Sequence, residues 1–445
     1  MNPDNSLLGL RGFIIDAPEY DRLRARADGA LILDGSHIAE IGDYRELSTR
    51  PRPQPVRWLH SNRAAIFPGL IDLHTHLPQY PAVARGESEL LPWLRRHIFP
   101  LEREFKGARV GPEAAAFFAE LARHGTTSAM IYSAIFEDST EAAFHAALAS
   151  GLRIIMGKMM MDVGSYGNLQ PTKVVSISLH ESERLCRTWH GAGNGLIEYA
   201  VSPRFAVSCS EKMMRGAAEL AANYGVYLQT HLAENLEEIE KVRHQFPGAQ
   251  DYTDVYDQCG LLTERTVLGH CIHLSDRERE ALAARGARIA HCPTANLFLT
   301  SGIMPLDRMR AAGLHIGLGS DVGAGTELNL WQVMRSAIES QKARAMYEAD
   351  VQIPTPGGVL HLATLGAAEA LGKGAYLGTL DVGKEADITV MDLGALLPYR
   401  QTKAANDLTA EDALNLCIYR GGPHAVLETF VRGQSVFRAP EPELF

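Results

Sequence analysis

Eight apolar, strand-like runs recur along the middle of this chain, each parted from the next by a stretch of helical spacing. They fall at 69–74, 126–133, 153–161, 197–203, 226–232, 266–271, 287–292 and 315–321. Segments such as 112–125, 211–225 and 275–285 lie between them, with apolar residues returning every three or four positions. Strands that alternate with helices imply parallel pairing through right-handed crossovers. Eight such units close a cylinder, so the expected fold is α/β, a (β/α)8 TIM-type barrel. A doubly wound open sheet is the main competitor, but no GxGxxG follows an early strand and the count of eight favours the barrel.

The two chain ends read differently. Residues 7–66 hold short β-type runs, with Asp34-Gly35 set between apolar segments as a hairpin turn. A similar pattern returns at 386–393 and 424–437, where Arg432-Gly433 marks a second turn. The ends are therefore expected to meet in one small composite β-sandwich domain, built from 1–66 and 376–445 around a barrel at 67–375. The alternative is two unrelated edge hairpins.

Charge narrows the partners. The formal net charge of −10 argues against nucleic acid, whose phosphates need a basic face. A small neutral ligand is compatible with it. The six cysteines (186, 209, 259, 271, 292 and 417) form no CxxC pair and read as buried thiols of a reducing cytoplasm. The N-terminus has no basic segment leading into an apolar core, and no apolar run approaches the ~20 residues that cross a bilayer. The expectation is a cytoplasmic protein with no membrane partner.

Barrel chemistry collects at the C-terminal ends of the strands. In GLIDLHTH, His74 and His76 stand at i and i+2 on an extended strand, so both imidazoles reach one point in space. Arg204 follows the fourth run, His231 and Glu234 the fifth, His270 the sixth and Asp321 the eighth. A single histidine at a strand end is more often a hydrogen-bonded loop residue. Four histidines and an aspartate at such ends together point to a metal site. His74, His76, His231 and Asp321 are assigned as ligands of one zinc, with iron or another transition metal suited to the same set. A catalytic zinc keeps a place for water and lowers its pKa toward ~7. His270 is either a further ligand or a hydrogen-bonding partner of water or substrate. Glu234, in HLAEN, is placed to carry a proton from the water to a leaving nitrogen, with Asp321 sharing the traffic. The plainer role for Glu234 is a helix-start carboxylate favoured by the helix dipole. Lys158 is the one lysine within a barrel run, but it does not follow a fourth strand. A second metal bridged by a modified lysine is therefore not expected.

With those residues in view, the chain resembles the amidohydrolase superfamily. The resemblance rests on PGLIDLHTH, the HLAE, GH and GSD segments, and the tail ATLGAAEALG…GTLDVGKEADITVMD, and it covers nearly the whole length. Within that superfamily the chain is similar to the guanine deaminases in HTHLPQY, LPWLRRHIFPLE, PRFAVSCSE, HLAENLEEIE, DYTDVYDQCGLL and HCPTANLFLTSG. This implies hydrolytic deamination of guanine to xanthine and ammonia by a zinc-activated water, in a homodimer. It also implies that Gln79, Arg204 and Phe205 hold the purine. Those residue types suit a purine: an amide offers donor and acceptor to an amide-like edge, a guanidinium offers fixed donors, and a phenyl ring stacks. Trp93 either lines the pocket or packs on the barrel. Two segments depart from the family pattern, the stretch after Asp162 up to 171 and GAGTELNLWQ at 323–332. Both follow barrel strands, which leaves related substrates open: 8-oxoguanine, a pterin or a triazine. A non-catalytic barrel is the remote alternative, since every proton carrier and ligand is present.

Overall fold

The computed structural model describes residues 7–86, 89–163, 171–398 and 408–440. The eight anticipated runs are parallel strands of one sheet: Leu70–His76, Thr126–Tyr132, Arg153–Gly157, Ile197–Pro203, Tyr227–Leu232, Thr266–His270, Arg288–His291 and His315–Leu318. They pair in sequence order from first to eighth, with a two-residue strand, Met159–Met160, against the end of the fourth. The eighth returns to the first just past its end, where Asp321 N donates to His74 O at 2.8 Å. The run Gly317-Leu-Gly-Ser permits that close approach. A Cβ at Gly317 would meet Leu73 at 2.5 Å, and one at Gly319 would meet His74 Cβ at 2.8 Å. Buried Asp72 ties the same seam, accepting from Ser320 N at 3.0 Å and Ser320 Oγ at 2.6 Å.

Helices occupy the predicted crossovers, at Val110–Arg123, Glu211–Tyr224 and Asp276–Ala284. Local chemistry starts them: Ser210 Oγ accepts from Met213 N, and Ser275 with Glu278 forms a reciprocal capping box. Each presents an apolar stripe to the barrel, for example Phe117, Phe118 and Leu121 of the first. Burying such side chains favours the fold by roughly 1.5–3 kcal/mol apiece.

The two ends meet in a second, separate sheet. Its strands run in the order 434–438, 426–431, 388–392, 64–68, 7–19, 22–34 and 37–43, with 56–59 beside 7–19. Leu10, Ile14, Leu31, Ile66, Ile388 and Phe430 form its core. The turn read at Asp34-Gly35 is one residue later, Gly35-Ser36 between the paired Asp34 and His37. Arg432 (φ 49°) and Gly433 (φ 69°) make the second turn, both in the left-handed region that a tight hairpin demands. Barrel and end sheet are clamped by buried Arg153, which pairs with Asp387 at 2.5 Å and with Glu385. No helix among the described residues is long and apolar enough to cross a membrane.

Candidate active site

Every strand-end residue singled out in the sequence is buried at the same end of the barrel. His74 and His76 close the first strand, His231 lies near the end of the fifth and His270 at the end of the sixth. Several of these ends turn sharply. Ala233 (φ 50°), His270 (φ 67°), Cys271 (φ 52°) and Asp321 (φ 48°) all take left-handed backbone, which a non-glycine residue adopts at a cost. Such strain concentrated at one mouth is typical of sites whose side chains are aimed by the fold.

The donor atoms converge. His76 Nε2 lies 3.2 Å from His231 Nε2 and 3.3 Å from Asp321 Oδ1, while His74 Nε2 is 3.4 Å from the same oxygen. Ligands 2.0–2.1 Å from a tetrahedral zinc stand roughly 3.3–3.4 Å from one another, so the spacing fits. Tautomers fit as well. His231 Nδ1 lies 2.6 Å from the Arg204 carbonyl, which can only accept, so the proton is on Nδ1 and Nε2 turns a lone pair inward. His74 Nε2 is buried without a well-formed hydrogen bond among the described residues, an orphan that a cation would satisfy. Two overlapping sets, His74–His76–His231 and His74–His270–Asp321, can each hold a metal ion. Burial pushes His76 down to about 3 and His231 well below its ordinary range, which keeps both rings in the neutral form that ligates. Burial alone would raise Asp321, but the facing histidines hold it well below the usual carboxylate range.

Glu234 lies beside this cluster. Its Oε2 is 3.4 Å from His270 Nε2, and its Oε1 accepts from Ser301 Oγ at 3.1 Å. Burial, with Asp321 nearby, pushes its carboxyl up to about 8. The helix-start role belongs to a different residue. The following helix, Leu236–Gln245, is capped by Asn235 with Glu238 as the reciprocal partner, and Glu238 Oε2 accepts from Glu234 N and Asn235 N. His270 is 3.7 Å from Asp321 Oδ2, and its Nδ1 is held 2.8 Å from Asn296 Oδ1. It thus bridges the two carboxylates.

A small pocket, with about 340 Å³ of empty space when its open mouth is included, opens onto the cluster. Gln79, Trp93, Arg204 and Phe205 all line it with His76, His231, Glu234, His270 and Asp321. Trp93 lines the pocket and is buried, its Nε1 donating to Arg85 O at 2.8 Å. Gln79 and Arg204 are not independent. Both are bonded to Glu102, a buried carboxylate on the helix Phe99–Glu104. Lys158 is turned toward the helix Pro171–Trp189, where its Nζ meets Ser178 Oγ at 3.1 Å and Glu181 at 3.2 Å. Of the two divergent segments, 164–170 lies outside the described residues, and 323–332 contributes Ala324 to the pocket wall. The last residues of the latter start the helix Leu330–Arg344, capped by Asn329, with Trp331 edge-on to Phe67.

Sequence reasoning missed several residues here. Tyr132 stacks on His76 at 4.6 Å, and its place at the end of the second strand was the available signal. Glu238 was legible from the Asn235-x-x-Glu238 spacing. Glu102, Asn296 and Ser301 have no spacing signal of their own, though they lie in LPWLRRHIFPLE and HCPTANLFLTSG, two of the segments similar to the guanine deaminases.

Comparison with known proteins agrees with this geometry. The model of the amidohydrolase family matches residues 65–436. Guanine deaminase of Escherichia coli (strain K12) is 34% identical over 98% of this chain and 99% of its own. Its solved structure superposes with a TM-score of 0.89 at 32% identity, covering 98% of this chain and 100% of that one. The structure of guanine deaminase from C. acetobutylicum with bound guanine in the active site gives 0.88 at 28% identity, covering 97% and 100%. The chain belongs to the amidohydrolase family, and within it to the guanine deaminases.

Proposed function

We propose that this chain hydrolyses the exocyclic C–N bond of guanine, releasing xanthine and ammonia. The observation that carries the reading is one small pocket that joins a metal-type donor set, a buried proton-carrying carboxylate and a polar pair suited to a purine edge. The full-length likeness to guanine deaminases supports it.

His74, His76, His231 and Asp321 are the residues that would hold the ion, with zinc the natural choice for three imidazoles and a carboxylate and iron suited to the same set. When bound, such an ion supplies a water acidified toward ~7 as the nucleophile. The remaining work falls to the chain. Glu234 takes the proton of the attacking water on its carboxylate and passes it to the exocyclic nitrogen, so that C–O forms, C–N breaks and ammonia leaves. Ser301 and His270 fix the two oxygens of Glu234 for that transfer. Gln79 and Arg204 hold the ring by its polar edge, and Phe205 and Trp93 enclose it and keep bulk water out. A cytoplasmic homodimer is the assembly and setting that we propose with this activity, and sedimentation of the purified protein tests the dimer.

The deciding experiment is ammonia release by purified, zinc-loaded protein from guanine, with 8-oxoguanine, isoxanthopterin, adenine and cytosine alongside. Preferential turnover of guanine is expected. Activity on another amine with none on guanine would overturn the substrate, and silence on all five would overturn the reaction.

A further inference from the structure

Glu102 faces neither the metal-type cluster nor the pocket, yet it touches both residues that read the substrate. Its Oε1 accepts from Gln79 Nε2 at 3.0 Å and its Oε2 from Arg204 Nη1 at 2.6 Å. All three side chains are buried, at 2–4% exposure, and come from three separate elements. Below the guanidinium lies the Phe99 ring, 5.0 Å away. Arg204 is therefore gripped on two sides and has few orientations left.

The consequence for Gln79 is chemical. A carboxylate paired with a guanidinium can only accept, so the Nε2 end of the amide must turn to Glu102. The Oε1 end is left for the pocket that Gln79 lines. Without Glu102 the amide can flip, and its donor and acceptor ends become interchangeable toward a ligand. With it, the site shows one acceptor from Gln79 next to fixed donors from Arg204. That order fits a ring N–H beside a C=O. It mismatches an edge made of a bare ring nitrogen beside C–H.

We infer that Glu102 is a positioning residue that sets the site's selectivity for an oxo-purine edge, by fixing the Gln79 amide and the Arg204 guanidinium in one donor–acceptor order. The inference rests on the guanine reading above. Arg204 and Gln79 touch the substrate, and Glu102 acts through them.

The test compares guanine with 2-aminopurine, which has the same exocyclic amine but neither the ring N–H nor the C=O. The KM for guanine and the inhibition constant of 2-aminopurine against guanine turnover are measured for zinc-loaded wild type, Glu102→Gln and Glu102→Asp, with metal content and melting followed in parallel. For Glu102→Gln the guanine KM should rise about 10- to 100-fold while 2-aminopurine binding hardly moves, the loss proper to charge-assisted hydrogen bonds. A structural role alone would weaken both ligands together. Selectivity unchanged in folded, metal-loaded Glu102→Gln overturns the inference. If that variant does not fold, Glu102→Asp decides: it keeps the charge for Arg204 but is too short to hold both partners, so selectivity must fall, and an unchanged ratio overturns the inference. Wild type inactive on guanine refutes the substrate reading, whereas active wild type with an unaltered variant ratio refutes Glu102 alone.

Discussion

Gly269 is where a single methyl group should disable the metal site without touching a ligand's own bonds. It lies within the sixth barrel strand, paired with His231 on one side and Ala290 on the other. A Cβ built there stands 2.7 Å from His74 Cε1 and 2.9 Å from His74 Nδ1. Ordinary contact begins near 3.4 Å, so the imidazole must retreat by about 0.7 Å. It has nowhere to go: Gly319 closes on its Cβ, and the rings of His231, Tyr132 and His270 stand 4.7, 5.2 and 5.3 Å from it, centre to centre. Overpacking of this kind costs about 1–3 kcal/mol, and a ligand displaced by its surroundings costs about 10- to 100-fold in metal affinity. Gly269 does not have left-handed backbone, so alanine adds no strain of its own and the effect is steric. Metal per chain after dialysis against graded chelator, with kcat/KM on the same samples, is the assay for Gly269→Ala. Gly111→Ala, on an open helix surface, is the control and should change neither. Wild-type metal retention and turnover in Gly269→Ala would refute the packing argument and, with it, the placing of His74 at the ion.

Three further changes separate the parts of the site. Glu234→Gln removes a proton carrier but no ligand, so it should keep full metal content and lower kcat about 10²- to 10⁴-fold, and turnover near wild type at equal metal content would contradict the role. Arg204→Ala should raise KM more than it lowers kcat and leave metal content intact. It also strands buried Glu102, so the melting temperature falls with it; loss of metal alone would misplace Arg204. Arg153→Ala leaves Asp387 buried without its partner at the far end of the barrel, so it should destabilise by about 3–5 kcal/mol in chemical denaturation while KM for substrate holds.

The barrel was legible because its signal is redundant. Each strand is an apolar run buried on both faces, such as TTSAMIY, and each is followed by a helix whose own period differs. A one-residue error at Asp34-Gly35 did no harm, since the glycine still supplied the left-handed turn. The metal-type residues were legible for a second reason: the i, i+2 spacing of His74 and His76 and the strand-end position of the others restrict where those side chains can go. Glu102 had no comparable marker. It sits in the excursion between the first two strands, 23 positions from Gln79 and 102 from Arg204, and nothing local announces such distant partners. Local patterns place ligands on a barrel, but the residues that orient them are fixed by tertiary contact.

Glu234 and Glu238 show how finely the division of labour is drawn. Both are buried carboxylates in HLAENLEEIE, and either would serve as a helix-start acid on sequence grounds. Asn235 settles which one does. Its side chain caps the helix, which makes position 238 the reciprocal partner, and Tyr252 OH locks that carboxylate from the other side at 2.7 Å. With the backbone donors at the helix start already satisfied by Glu238, no main-chain group among the described residues claims the carboxylate of Glu234. The left-handed turn at Ala233 aims it instead at His270 and Ser301. The proton-carrying role proposed for Glu234 needs a carboxylate that is held in place and yet keeps an oxygen uncommitted to the backbone. The cap at Asn235 achieves that by giving the structural duty to the neighbouring acid four residues on.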